Sequence, residues 1–234
     1  MAHLAYRIYK LIRLKKELKE VYANQVIETF ALFLIGIFIP AFLFQAGFSL
    51  EESLLFVVVQ WLFYAITARF ASMIHSRIGV KHTILLRSPI IVAYLALVMN
   101  ITQMSWVFYV ASFLGGFSMS LYWSSLNTEY VRSSDKRNEG EEAGFLIGIP
   151  YISAVVGPII GAFVLTLFGF SWLFVVAVFL IFFSVVPLFM SCDYKSECFR
   201  LRGIDILMDK KRALFYAISG SLYTADFVFW YMYV

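Results

Sequence analysis

The stretch AGFLIGIPYISAVVGPIIGAFVLTL, residues 143–167, holds 25 residues without one charged side chain. At 1.5 Å per residue it makes a helix of about 37 Å, more than the ~30 Å hydrocarbon core of a bilayer. Gly157 and Gly161 lie four apart, so they share one helix face and allow a neighbouring backbone to come close. Pro158 between them removes an intrahelical donor and bends the helix. The reading is a kinked membrane helix built for tight packing.

Working outward, six further apolar stretches of similar length appear. With 143–167 they are expected at 26–48, 54–72, 84–101, 107–130, 172–190 and 214–234. The chain is 62% hydrophobic and 15% charged, with a mean hydropathy of +0.82. A soluble domain is nearer half apolar and a quarter charged. All 19 basic residues fall in four segments that alternate with the apolar stretches. These are Arg7 to Lys19, Arg69 to Arg87, Arg132 to Arg137 and Lys195 to Arg212. The short connections 49–53, 102–106 and 168–171 hold none, and their only charges are Glu51 and Glu52. Cytoplasmic loops keep Lys and Arg. One orientation then satisfies every basic residue: N-terminus inside and an even number of crossings between basic segments. Trp106 and Trp172 fall at the outer boundaries, where amphipathic rings favour the headgroup layer.

The expected fold class is an all-α polytopic membrane protein. It has a basic amphipathic segment at 1–22, a six-helix unit at 23–191, a basic loop at 192–213 and a further helix at 214–234. In the first segment Leu4, Ile8, Leu11, Leu14, Leu18 and Val21 recur at helical spacing, as suits a helix at an anionic interface. Val234 ends an apolar run without a polar flank, so the expectation is part of a longer protein whose C-terminal half is missing here. The net charge of +4 is placed for the inner leaflet, not for nucleic acid.

Polar residues within the apolar stretches mark candidate pathway positions, because ionisable groups in a bilayer face a bundle interior or a watery cavity. On the seventh stretch Ser219, Tyr223, Asp226 and Trp230 share a face, with Asp226 near mid-membrane. On the fourth, Ser118, Tyr122, Ser125 and Glu129 repeat the same spacing of four, three and four. Glu129 has Arg132 three residues on as an alternative partner, and Trp123 with Asn127 offers a second polar face. Glu28, near the inner end of the first stretch, reads as an interfacial or ion-paired acid or as a gating or coupling group. Gln60 and Tyr64 on the second reach either a cavity or a neighbouring helix. Cys192 and Cys198, His3, His75 and His82 form no metal or redox spacing, and no phosphate-binding loop is present. No cofactor and no enzymatic centre are expected.

The turn after the second stretch reads Ser72-Met-Ile-His-Ser76-Arg77-Ile-Gly79-Val-Lys81. With the Gly157-Pro158-x-x-Gly161 core of the fifth, it resembles the major facilitator superfamily of secondary transporters. That family's turn reads roughly G-x-L-x-D-R-x-G-R-K. Arg77, Gly79 and Lys81 match it, while Ser72 and Ser76 stand where the first Gly and the acid belong. Its antiporter branches carry G-P-x-x-G-G, and Ala162 replaces the last Gly. The resemblance covers one six-helix half, the central loop and the opening helix of the second half. It implies two three-helix inverted repeats and a central cavity lined by the first, fourth and seventh helices. It assigns Arg77, Gly79, Lys81, Gly157, Pro158 and Gly161 to gating and helix packing. It further implies a small-molecule substrate, a proton or sodium as coupling ion, alternating access and the cell membrane as location. The other class carried forward is a seven-helix receptor or scaffold, or a half-carrier that dimerises.

Overall fold

A computed structural model describes residues 16–101, 106–134, 138–193 and 195. All the regular structure among them is helical. In chain order the helices are α1 (Lys16–Gly36), α2 (Phe38–Gln45), α3 (Leu50–Ile78), α4 (Val80–Met99), α5 (Trp106–Ser133) and α6 (Glu139–Val185). A 3-10 turn, Val186–Met190, follows. Four helical stretches are long and apolar enough to cross a bilayer: Lys16–Gln45, Leu50–Ile78, Val80–Met99 and Glu139–Met190. At 28 residues α5 is as long, but its Gly, Ser and Tyr content makes it more polar.

The helices start before the stretches read from hydropathy, but the expected 26–48 span is interrupted at Ile37 and ends at Gln45, and the expected 84–101 span ends at Met99. Among the described residues, 16–22 of the expected basic segment belong to the same helix as the apolar run. Hydropathy marks only the part matched to hydrocarbon, whereas backbone hydrogen bonding carries a helix on into the interface. α3 starts where Ser49 and Glu52 form a reciprocal cap: Glu52 N–H donates to Ser49 Oγ at 3.2 Å, and Ser49 N–H to Glu52 Oε2 at 2.7 Å. α6 is broken at Gly169, whose φ of 80° is open to glycine and costly to other residues. Its two arms fold back side by side along α1. Tyr22 donates to Glu142 O and Asn24 to Ser184 O, both at 2.8 Å, while Phe42 meets Phe170 and Phe174 beyond the bend.

Two glycine contacts bring the rods close. A Cβ at Gly161 would sit 2.3 Å from Leu34 O, and one at Gly157 would sit 2.9 Å from Phe33 Cβ. These two glycines of the first arm of α6 therefore seat it against the backbone of α1. Gly116 of α5 does the same against α3, where a Cβ would lie 2.3 Å from Gln60 O.

Burial is inverted relative to a soluble protein. Glu28, Lys81, Arg87 and Glu129 are buried, while Leu62, Ile66, Ile152, Val155, Ile159 and Phe163 face outward. An apolar solvent makes that arrangement favourable. One end of the bundle collects Lys16, Arg132, Lys81 and Asp193, and is the basic end below.

Candidate functional site

Glu28 of α1 lies at the level of Ser118, which is about 18 Å into the 28-residue α5 and so near its middle. It is fully buried and forms an ion pair with Arg87 Nη1 of α4. Arg87 is 2% exposed. Its Nε donates to Ser118 Oγ of α5 at 3.0 Å, and its guanidinium lies 4.8 Å above the Tyr122 ring centroid. The second Glu28 oxygen accepts from Ser184 Oγ of α6 at 2.8 Å. Tyr122 OH donates to Asn24 Oδ1 at 3.1 Å, and Asn24 Nδ2 donates back to Ser184 O.

Four helices thus supply one polar cluster: Asn24 and Glu28 from α1, Arg87 from α4, Ser118 and Tyr122 from α5, Ser184 from α6. Each charge has an opposite charge and a neutral hydrogen-bond partner, the condition under which an ion pair survives out of water. The Tyr122 face adds a desolvated cation–π contact.

A second charged group occupies the basic end. Lys81 Nζ is 3.2 Å from Glu20 Oε2 and 3.9 Å from Glu129 Oε1, and it donates to Ser191 Oγ at 2.5 Å. Ser191 in turn donates to Glu20 at 2.6 Å. Arg132 bridges Glu129 and Glu17 at 3.1 and 3.3 Å. Gly79 makes the turn into α4 at φ 105°. Asp193, just past the 3-10 turn, caps that helix: Lys81 N–H and His82 N–H donate to its two oxygens at 2.9 and 3.1 Å, and the His82 ring lies against it. A carboxylate therefore does meet this turn, from Asp193, whereas Ser76 spends its hydroxyl on Met73 O.

The residues expected from sequence divide as follows. Glu28, Ser118 and Tyr122 meet in the mid-bundle cluster. Ser125 is buried one turn nearer the basic end, and its Oγ has no partner among the described residues. The Ser118–Glu129 face of α5 is the buried one, while Asn127 is exposed. Gln60 is not in the cluster; it lies between α3, α4 and α5, accepting from Tyr94 OH at 3.4 Å with its amide 3.5 Å from Met119 Sδ. Arg77 is exposed, and Lys81, expected in a basic loop, is fully buried in the first turn of α4. Gly157, Pro158 and Gly161 lie in α6 against α1. Ser219, Tyr223 and Asp226 lie outside the described residues.

Asn24 and Ser184 carried no sequence expectation, and Arg87, expected with the inner-face basic residues, is instead buried and paired with Glu28. Arg87 had a usable signal. It falls inside the apolar stretch 84–101, and an intramembrane arginine calls for a partner; counting it with the inner-face basic residues hid that.

The family model for the Major Facilitator Superfamily matches residues 21–203. No curated protein matches the chain. Among solved structures, an auto-inhibited POT family peptide transporter superposes with a TM-score of 0.58 at 15% identity, over 80% of this chain and 39% of that one. The POT family transporter PepTSo gives 0.58 at 17% identity, over 79% of this chain and 39% of that one. The chain thus spans about two-fifths of their length, and at this identity the likeness is one of fold.

Proposed function

The chain belongs to the Major Facilitator Superfamily, and from that premise we propose that it forms part of a secondary transporter. It carries a small solute across the membrane by alternating access, and protons drive the movement. The observation that carries this reading is the Glu28–Arg87 pair, buried at mid-bundle and shared among four helices. Protonating Glu28 cancels its charge and leaves Arg87 with neutral partners alone. The two protonation states then favour different packings of the same helices, which a coupled carrier requires. α1 and α4 belong to the first three-helix repeat, α5 and α6 to the second, so the pair sits within the first repeat and meets the second through Ser118 and Ser184.

In this reading α1, α3, α4, α5 and the two arms of α6 supply six crossings, with the N-terminus and the basic end in the cytoplasm and the protein in the cell membrane. The positions of the basic residues support that orientation. A second six-helix half completes the cavity, and residues 214–234 are its first helix. Asp226, with Tyr223 and Ser219 on the same face, is a second proton- or sodium-binding carboxylate facing the solute. Gly157-Pro158 and Gly161 tilt the direction towards proton-coupled export. Arg77, Gly79 and Lys81 form part of the gate at the cytoplasmic end.

Flux into proteoliposomes under an imposed pH gradient tests the proposal. Glu28→Gln and Asp226→Asn are each expected to abolish acceleration by the gradient while solute exchange continues. Unchanged gradient dependence in either variant refutes the role given to that carboxylate.

A further inference from the structure

We infer that the polar face shared by α1 and α5 is a hydrated lane through which Glu28 exchanges its proton with the basic end of the bundle, with Ser125 at its midpoint. The inference rests on the reading of Glu28 as a proton-carrying group.

On one face of α1 lie Glu17, Glu20, Asn24 and Glu28, spaced three, four and four. On α5 they are Ser118, Tyr122, Ser125, Glu129 and Arg132, spaced four, three, four and three. The two helices run antiparallel, and the stripes meet level by level. Arg132 touches Glu17 at 3.3 Å. Lys81 bridges Glu20 and Glu129. Tyr122 bonds Asn24 at 3.1 Å, and Arg87 bridges Glu28 and Ser118. The outermost level is 31–38% exposed and the innermost is buried, so the stripe runs from solvent to the carboxylate.

Its middle is chemically unfinished. Ser125 Oγ, Glu129 Oε2 and Glu20 Oε1 are buried, and none has a hydrogen-bond partner among the described residues. Val21, Ile84, Val185 and Leu188 belong to the same buried cluster as Tyr122. A buried hydroxyl without a partner costs about 1–3 kcal/mol, which a bound water recovers when it has two or more polar groups to meet. The rise from Glu129 to Ser125 is about 6 Å, and from Ser125 to Tyr122 about 4.5 Å. Two hydrogen bonds of about 2.8 Å through one water reach about 4.5–5.6 Å, enough for the shorter gap, and a second water completes the longer one.

The groups facing Glu28 are Arg87 from α4, Ser118 and Tyr122 from α5, Ser184 from α6 and Asn24 on its own helix. Glu129 faces Lys81, Arg132, Glu20 and Glu17. A hydronium at the basic end gives its proton to the Glu28 carboxylate and leaves as water. The Glu28–Arg87 pair then goes from neutral to a net charge of +1, held by Arg87.

The test uses the complete protein in proteoliposomes of one orientation. Infrared difference spectra after an acid pH step follow the protonated carboxyl band of Glu28, identified by its loss in Glu28→Gln. When the step is applied at the basic end, the wild type is expected to show the band. Ser125→Leu, which fills the lane, is expected to slow its appearance at least tenfold. Ser125→Gly, which keeps the space, is expected to leave it within about twofold. Should Ser125→Leu fail to fold, Ser125→Val carries the same expectation. Equal rates in wild type and the filled variant overturn the lane. So does a Glu28 band that answers only to a step at the opposite end, or one that never forms. Absence of solute flux with the band intact would instead count against the transporter reading.

Discussion

Arg87→Leu removes one member of a buried ion pair and leaves Glu28 with Ser184 as its remaining hydrogen-bond partner. Removing one partner of a buried pair costs about 3–5 kcal/mol, because the other charge is stranded. The variant also loses the contact over Tyr122, a desolvated cation–π interaction of about 2 kcal/mol. These losses overlap, so we expect about 4 kcal/mol in all. For a chain of this size each kcal/mol moves the midpoint by about 2–4 °C, giving a fall of roughly 8–16 °C. Glu28→Gln keeps the shape and leaves Arg87 with Ser118 and the Tyr122 face, so its cost should be smaller. In Glu28→Gln/Arg87→Leu no charge remains to be stranded, and much of the Arg87→Leu loss should be recovered. Thermal unfolding in detergent, followed by tryptophan fluorescence, reads all three. The expected coupling in the double-mutant cycle exceeds 1.5 kcal/mol, well above the ~0.5 kcal/mol scatter of independent sites. Additivity within that scatter would refute the pairing and the polar centre built on it.

Other expectations follow from local geometry. Gly161→Ala places a methyl 2.3 Å from Leu34 O, a backbone atom that cannot swing aside; the helices must separate, and a loss of monodisperse protein on size exclusion is expected, against little change for Gly140→Ala, where no atom lies within 4 Å. Ser49→Ala removes the cap of α3 and should lower stability by about 1 kcal/mol in the same unfolding assay. Asp193→Ala leaves the first amides of α4 without their carboxylate, at a cost of about 1 kcal/mol, and should speed proteolysis of the chain beyond Met190.

Much of this organisation was legible in the sequence because it repeats along single helices. Spacing on α5 offered two polar faces, one with Ser118, Tyr122, Ser125 and Glu129 and one with Trp123 and Asn127, and the structure buries the first. The Gly157–Gly161 face announced a close neighbour, and the neighbour is α1. The partners were not legible, because hydropathy has no memory of which faces meet. Arg87 lies 59 residues from Glu28, and Ser184 lies 156 residues from it. The same holds for Lys81, whose position beside a glycine turn suggested a solvated loop. The sequence could not tell that α1 and α5 would place Glu20 and Glu129 around it. Asp193 as the cap of α4 was hidden for a different reason, being an isolated acid after a 3-10 turn with no local periodicity to mark it.

The central claim is that a proton on Glu28 drives solute movement. The most direct measurement loads proteoliposomes of the complete protein with a pH-sensitive dye and follows proton flux as solutes from a defined mixture of metabolites are added. The account predicts that at least one solute moves protons through the wild type. The same solute should move none through Glu28→Gln, while still exchanging with its labelled form across that variant. Solute-dependent proton flux in Glu28→Gln equal to that of the wild type would contradict it.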